Sequence, residues 1–519
     1  MTEGFKKLLK ILLVFAVLGG GYYYLKSTGT IKKMNAVGSK PIPKDAFGGG
    51  SSDAPGKLTR PMTVGLCTFP GYSGGPYYNN GFKASENSGF FRDSGLKVQF
   101  IQNDNAEGGK AAWRKGAYDA WWCTIDSFPV DAGGLAENEP VMILQSDWSR
   151  GADAIVVSND IKTVADLKGK EIACAIGSPS HTLLLWMLSS NNMSMSDIEL
   201  VTVQNAIDAA SMFKARKVKA AVVWAPDDSD CVANVPGAHV LVSSKTASKI
   251  IADCFYVKRS FLDAHPDDVK ALVRGWLKGA ADINSSDTAR RKAAQILAVG
   301  FNVDEAFCYE GIGNVRLCTY GDNLNFFGLN RAYVGQTGQK LYEKMGPLWQ
   351  TLKLASDTMP AWRALTDQEV LRGITDLKRT ADLAEGEKQF AKLDVVTEEK
   401  LQSISTNRVT INFASGSATL DETAKYIIQD KFGPMVQGFE AARVRVEGNT
   451  DNIGDSAMNV RLSKARAQAV VNFLVEKYRL DSDRFVVRGN GMDNPVAGND
   501  TDEGRAANRR TDFELLQEK

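Results

Sequence analysis

A carboxylate and a guanidinium fifteen residues apart, Asp451 and Arg466, are the pair in this sequence best suited to gripping a ligand. Asp451 closes an alternating run, RVRVEGNTD (443–451), that reads as a strand. Arg466 falls about one turn into RLSKARAQAVVNFLVEKY (461–478), whose apolar spacing is helical. A carboxylate accepts hydrogen bonds from an ammonium, and a guanidinium forks onto a carboxylate, so together they suit a zwitterion. The same two groups could instead pair with each other on the surface, an interaction worth little. Thr450 precedes Asp451, Asn459 lies between the two segments and Arg510 stands near the start of the closing run 509–516; backbone N–H groups near Gly454 and Asn459 could complete the bonding of a bound carboxylate. No nucleophile with an adjacent base is visible, so this chemistry is binding rather than cleavage.

A second set of polar and aromatic residues recurs where apolar runs end. TFPGYSGGPYYNNG (68–81) mixes glycines with Tyr72, Tyr77 and Tyr78, and KGAYDAWWCTIDSFP (115–129) brings Trp121, Trp122, Thr124 and Ser127. GKEIACAIGSPSHTLLLW (169–186) reads as a strand, a Gly177-Ser178-Pro179-Ser180 turn and a helix, whose first N–H groups can receive a polar or anionic group. KAAVVWAPDDSD (219–230) ends a strand in Trp224, Asp227 and Asp228. Taken singly, each is also explained as a capped helix start or as packing. Aromatic faces beside carboxylates could cage a cation, whereas the helix start favours an anion, and the sequence leaves both open.

The elements that must carry these residues alternate in type. Strand-like runs at 62–67, 96–101, 153–158, 171–176, 198–203 and 219–224 are separated by helical stretches such as 181–191 and 266–283. That order predicts parallel α/β sheets, with ligands at the carboxyl ends of strands. Nearly 300 residues is large for one lobe, so two lobes with a cleft are expected. Beyond 404 the order changes to strand (408 onward), helix (421–439), strand (443–451), helix (461–478) and two strands (484–491, 509–516), a compact α+β unit.

At the front, Leu8–Leu25 is the one long apolar run, preceded by Lys6 and Lys7 and closed by Tyr22, Tyr23 and Tyr24. It is long enough for a membrane anchor, with Lys10 snorkelling and the tyrosines at an interface; a cleaved signal peptide with small residues near Gly21 is the alternative. Residues 27–58 carry Pro, Gly and Ser without apolar periodicity and read as a tether with a reach of about 30 Å. A formal net charge of +1 offers no electrostatic case for nucleic acid. Three scattered histidines and no CxxC or HExxH spacing argue against a His/Cys metal site. Among seven cysteines, Cys308 with Cys318 or Cys231 with Cys254 could close a disulfide in an oxidising compartment, or remain as buried thiols.

Three C-terminal motifs closely resemble the OmpA-like peptidoglycan-binding domain: Gly448-Asn449-Thr450-Asp451 (Asn449 where the family has His), Asn459-Val460-Arg461-Leu462-Ser463-Lys464-Ala465-Arg466-Ala467, and Gly504-Arg505-Ala506-Ala507-Asn508-Arg509-Arg510. The resemblance implies that Asp451 and Arg466, with Thr450, Asn459 and Arg510, hold the zwitterionic end of a diaminopimelate stem peptide. Residues 60–360 are similar to periplasmic solute-binding proteins of the nitrate, sulfonate, taurine and thiamine-precursor type, through KGAYDAWW, LKGKEIACAIGSPSHTLLLWML, VKAAVVWAPD and CFYVKRSFLDAHPDDVKALVRGWLKG. That likeness implies a type II two-lobed fold closing on a small solute at Gly71, Tyr72, Trp122, Ser178, His181 and Trp224.

The expected organisation is an anchor (6–26), a linker (27–59), a two-lobed α/β periplasmic-binding-protein type II domain (60–365), a helical connector (366–403) and an α+β OmpA-like domain (404–519). The resemblances imply a non-enzymatic, single-pass inner-membrane protein, its bulk in the periplasm, bound to peptidoglycan and serving an ABC permease by uptake or sensing, with no cofactor. The rival expectation is a structural tether between an inner-membrane complex and the wall. Stator-like force generation would need an acidic residue within Leu8–Leu25, and that run has none.

Overall fold

Short apolar runs that do not alternate must be buried on both faces, and here they become the centres of two sheets. The computed structural model describes residues 54–377, 383–386, 388–414 and 416–517. The expected anchor and most of the linker lie outside the described residues, among which no helix is long and apolar enough to cross a membrane.

Eleven strands build the two lobes: β1 (Met62–Leu66), β2 (Val98–Gln102), β3 (Ala120–Thr124), β4 (Pro140–Ser149), β5 (Asp153–Val157), β6 (Glu171–Ala175), β7 (Glu199–Val203), β8 (Ala220–Trp224), β9 (His239–Ser243), β10 (Ala252–Lys258) and β11 (Val315–Leu317). The first sheet has the order β11-β4-β10-β3-β1-β2 and the second β7-β6-β8-β5-β9. The chain therefore crosses between sheets twice, from β4 to β5 through Arg150, Gly151 and Ala152, and back from β9 to β10. Both sheets are mixed rather than wholly parallel, because β10 and β4 in one, and β5 in the other, run antiparallel to their neighbours. Helices α1 (Pro179–Ser189), α2 (Pro266–Ser285) and α3 (Gly338–Thr351) cover these sheets.

The six strands expected in this region are present within two residues of their expected bounds. The two that join the lobes were not legible. β4 carries Gln145, Ser146, Asp147 and Ser149 yet is buried along its whole length, so neither an apolar run nor an alternation marks it.

The C-terminal sheet, β12 (Gln402–Val409), β13 (Arg443–Asn449), β14 (Phe485–Gly491) and β15 (Thr511–Gln517), has the order β12-β15-β13-β14. The first strand lies earlier than the run from 408 that its apolar residues suggested. β13 and β14 are parallel and are connected by α4 (Ser456–Tyr478). This helix starts five residues before the expected 461, because the Asp455 carboxylate caps it by accepting from the Met458 N–H at 2.9 Å.

The connector and the C-terminal domain each pack against the two-lobed part. Arg150, in the first crossing, forks onto Glu385 at 2.9 and 2.6 Å. Ser405 on β12 bonds Ser190 after α1 at 2.6 Å, and the side chains of Asn191 and Asn192 accept from the backbone of Thr406 and Arg408 at 3.0 Å each.

All seven cysteines are unpaired thiols, which corrects both disulfides considered above. Cys254 lies on β10 opposite Cys123, while Cys231 is in the other lobe. Cys308 is in helix Glu305–Gly313 and Cys318 follows β11.

One tight approach is testable. α4 crosses β13 so closely that a Cβ at Gly448 would run into the Ser463 carbonyl. Gly448→Ala is expected to destabilise the C-terminal domain by about 1–3 kcal/mol in urea denaturation; an unchanged midpoint would contradict this packing.

Candidate functional site

Where the chain crosses between lobes, four aspartates converge. Asp126 follows β3, Asp147 is on β4, Asp153 opens β5 and Asp253 is on β10. Each is at most 4% exposed. β4 and β10 pair antiparallel with Asp147 directly opposite Asp253, a placement that sets like charges within about 5 Å of each other between α-carbons.

Each carboxyl group has a polar neighbour: Tyr72 donates to Asp253 at 2.7 Å, Ser146 to Asp147 at 2.9 Å, Ser149 to Asp153 at 2.7 Å and the Ala252 N–H to Asp126 at 3.3 Å, with the Thr182 hydroxyl also set against Asp126 and the Trp224 indole against Asp153. Asp126 Oδ2, Asp147 Oδ1 and Asp153 Oδ1 have no hydrogen-bond partner, and among the described residues no lysine or arginine pairs with any of the four. Burial is the main reason that their acidities fall, with the neighbouring aspartates adding to it. Asp126 is pushed up to about 7, Asp147 to about 8 and Asp153 to about 6, and Asp253 is raised by burial and then by Asp147.

The residues that the solute-binding resemblance singled out lie around this cluster or near it. Gly71 and Tyr72 form a 3-10 turn after β1, and a Cβ at Gly71 would press on the Asp147 carboxylate. The Tyr72 ring meets Phe69 edge-on at 5.3 Å and lies 6.1 Å from Trp122, whose half-buried indole leaves its N–H unpartnered. On the opposite lobe, the Ser178 hydroxyl donates to the Ala175 carbonyl at 2.7 Å before α1 begins. His181, in the first turn of α1, accepts from the Gly177 N–H at 3.2 Å and has no partner for Nε2; burial pushes it down to about 4. Trp224, opposite Asp153 in the β5–β8 register, is 38% exposed and stands at the rim. Asp227 and Asp228 begin the short helix that follows β8. The four hinge aspartates themselves were missed. Their signal was a lone carboxylate inside or against an apolar strand, as in PVMILQSDWS and ADCFYVK.

The C-terminal domain presents a smaller pocket, lined in part by Phe413, Asn449, Arg466, Arg509 and Arg510. Asp451 follows β13; its Oδ2 accepts from Arg509 Nη1 at 2.6 Å and its Oδ1 from the Ile453 N–H at 3.2 Å. Arg466 lies in the third turn of α4, not the first, because the helix begins earlier than expected. It does not pair with Asp451: its Nε donates to the Ser417 carbonyl at 3.0 Å, and its guanidinium sits 4.9 Å from the Phe413 ring. Arg510 reaches the pocket but is forked onto Asp512 at 3.0 and 2.9 Å, leaving Nη1 unpartnered. Thr450 donates to the Asp451 carbonyl and Asn459 to the Ile453 carbonyl, so both shape the loop that holds Asp451. The Asn459 N–H is taken by the Asp455 carbonyl. Arg509, half exposed against Asp451, is the pocket residue that reading the closing Arg509-Arg510 doublet missed.

Residues 412–509 match the OmpA family model. The C-terminal domain is an OmpA-family domain. Residues 78–287, within the two-lobed part, match the NMT1/THI5 like family model. The C-terminal region is 41% identical over 96 residues to outer membrane protein Omp38 of Acinetobacter baumannii, covering 17% of this chain and 27% of that protein. It is 38% identical over 103 residues to the peptidoglycan-binding protein ArfA of Mycobacterium tuberculosis, covering 20% and 31%. The chain thus spans about a third or less of these two relatives. Among solved structures, the periplasmic aliphatic sulphonate binding protein SsuA from Escherichia coli is similar at 18% identity and a TM-score of 0.48, over 61% of this chain and all of that one. The desulfurization enzyme DSZB is similar at 15% identity and a TM-score of 0.43, over 60% and 98%.

The hinge carboxyls set a pH dependence. Folded, they hold protons that the unfolded chain has already released, so stability falls as pH rises between their ordinary and folded values. His181 acts in the opposite sense, but only between about 4 and about 6.5. Between about pH 6.5 and 8, chemical denaturation of the ligand-free chain is therefore expected to show stability falling, by up to about 1.4 kcal/mol per pH unit for each carboxyl titrating. Asp147→Asn flattens that slope, and a wild-type stability that is level across the window would contradict the burial of these groups.

Proposed function

We propose that this chain is a cell-envelope binding protein that grips peptidoglycan through its OmpA-family domain and takes a small solute between its two lobes. The observation that carries the first part is the pocket beside β13, where the Asp451 carboxylate faces the guanidinium groups of Arg466 and Arg509. A diaminopimelate end carries one ammonium and one carboxylate. Asp451 accepts from the ammonium, in exchange for its bond to Arg509, and Arg509 and Arg466 are then placed for the carboxylate. The match of residues 412–509 to the OmpA family, and the likeness to a protein named for peptidoglycan binding, support this reading.

In the same reading, the run Leu8–Leu25 anchors the chain in the inner membrane, the described domains lie in the periplasm, and the two-lobed domain supplies an ABC-type permease or a sensor. The structural-tether alternative is favoured by one observation, the packing of the OmpA-family domain onto the residues that follow α1, which makes the wall grip continuous with that lobe.

Co-sedimentation with purified sacculi tests the wall grip. The wild-type chain is expected to pellet, and Asp451→Ala combined with Arg466→Ala to bind at least about tenfold more weakly, because each change leaves a ligand charge unpaired. Undiminished pelleting of the double variant would refute it.

A further inference from the structure

The solute class follows from what the hinge lacks. Asp126, Asp147, Asp153 and Asp253 are all buried, and three of their oxygens have no partner. The nearby cations are engaged elsewhere: Lys249 lies between Glu385 and Glu440 at 3.4 and 3.6 Å, and Lys110 is held by Asp131 at 2.5 Å. An anion entering this space would meet four carboxyl groups and no counter-charge.

The opposite lobe makes an independent contribution. Thr182, on α1, is fully buried and sets its hydroxyl against the Asp126 carboxyl group. His181, 2% exposed, leaves Nε2 unsatisfied, and its ring meets Trp349, whose indole N–H donates to the Asp126 carbonyl at 2.7 Å. Carboxylate oxygens and His181 Nε2 are thus buried without partners at the junction of the two lobes, the condition that a molecule bound between the lobes would relieve. Once their protons are displaced these carboxylate oxygens only accept, so a molecule that takes the protons' place brings N–H donors and positive charge. Phe69, Tyr72 and Trp122 stand beside the carboxylates and offer ring faces to the carbon attached to such a charge. A bare metal ion fits less well, since no group of three or more His, Cys, Asp or Glu side chains among the described residues is placed to hold one.

We propose that the interlobe cleft binds an organic cation, an alkylammonium or alkylguanidinium, with Asp147 and Asp253 as its charge partners and Asp126 closing on it from the β3 loop. This deepens the solute-binding reading and rests on it. It also sets this chain apart from relatives named for sulphonate and nitrate.

Calorimetric titration of the full chain tests it. The probes are butylguanidinium and putrescine, with butylurea as the neutral counterpart of the first, taurine and nitrate as anions, and calcium and zinc as metals. The cations are expected to bind and butylurea to bind at least tenfold more weakly, a comparison made on the wild-type chain. Asp147→Asn and Asp253→Asn are expected to weaken the cations at least tenfold while sacculus binding, which reports a folded chain, is unchanged. Taurine or nitrate binding in place of the cations would overturn the proposal and leave solute binding standing. Heat from calcium or zinc alone would overturn the organic cation. No binding by any probe would sink the solute-binding reading and the proposal together.

Discussion

Two like charges facing each other across a dry pair of strands impose the main constraint on this molecule. The antiparallel register of β4 and β10 sets Asp147 opposite Asp253, and the crossing strands that join the lobes cannot turn either residue to solvent without losing that register. A carboxylate taken out of water costs several kcal/mol unless it is paired or protonated. The fold provides a hydroxyl for each of Asp147, Asp153 and Asp253, enough to orient the groups but not to neutralise them. Near neutral pH the hinge must therefore hold protons, open to water, or hold a positive guest.

The OmpA-family domain shows the same logic with a different result. Asp451 is also mostly buried, but Arg509 pairs with it at 2.6 Å, and Arg466 stands over Phe413 without a carboxylate partner. The domain thus rests in a self-paired state, and the proposed zwitterionic ligand would replace that internal ion pair with two external ones. Asn449, where the family has histidine, is buried between Asp512 and Asn490 and leaves the pocket without a group that titrates near neutral pH at that position. Arg484 behaves differently again. Fully buried, it donates to the carbonyls of Val436, Phe439 and Ala442, closing the end of a short helix rather than meeting a ligand.

Much of this was legible in the residues. Apolar runs such as MTVGL and DAIVV name their strands because they are buried on both faces, and the periodicity over 266–283 named α2. Of the residues in the three OmpA-type motifs, Arg466 and Arg510 line the pocket beside β13, and Asp451 bonds to its neighbour Arg509. What was not legible has a common physical cause. β4 and β10 mix polar with apolar residues because they line a cleft and span the lobes, so their periodicity is broken where function requires it. The same mixing hid the aspartates, and the acidic residues that did attract notice, Asp227 and Asp228, stand apart from the hinge cluster. Arg509 was overlooked for Arg510 because the doublet alone does not show that Arg510 is forked onto Asp512 while Arg509 is bonded to Asp451.

Infrared difference spectroscopy at neutral pH tests the hinge most directly. Subtracting the spectrum of Asp147→Asn from that of the ligand-free wild-type chain should reveal a protonated-carboxyl stretching band, and that band should vanish when an alkylguanidinium is added. A wild-type chain with only ionised carboxylate bands at that pH, with or without the guanidinium, would contradict the account.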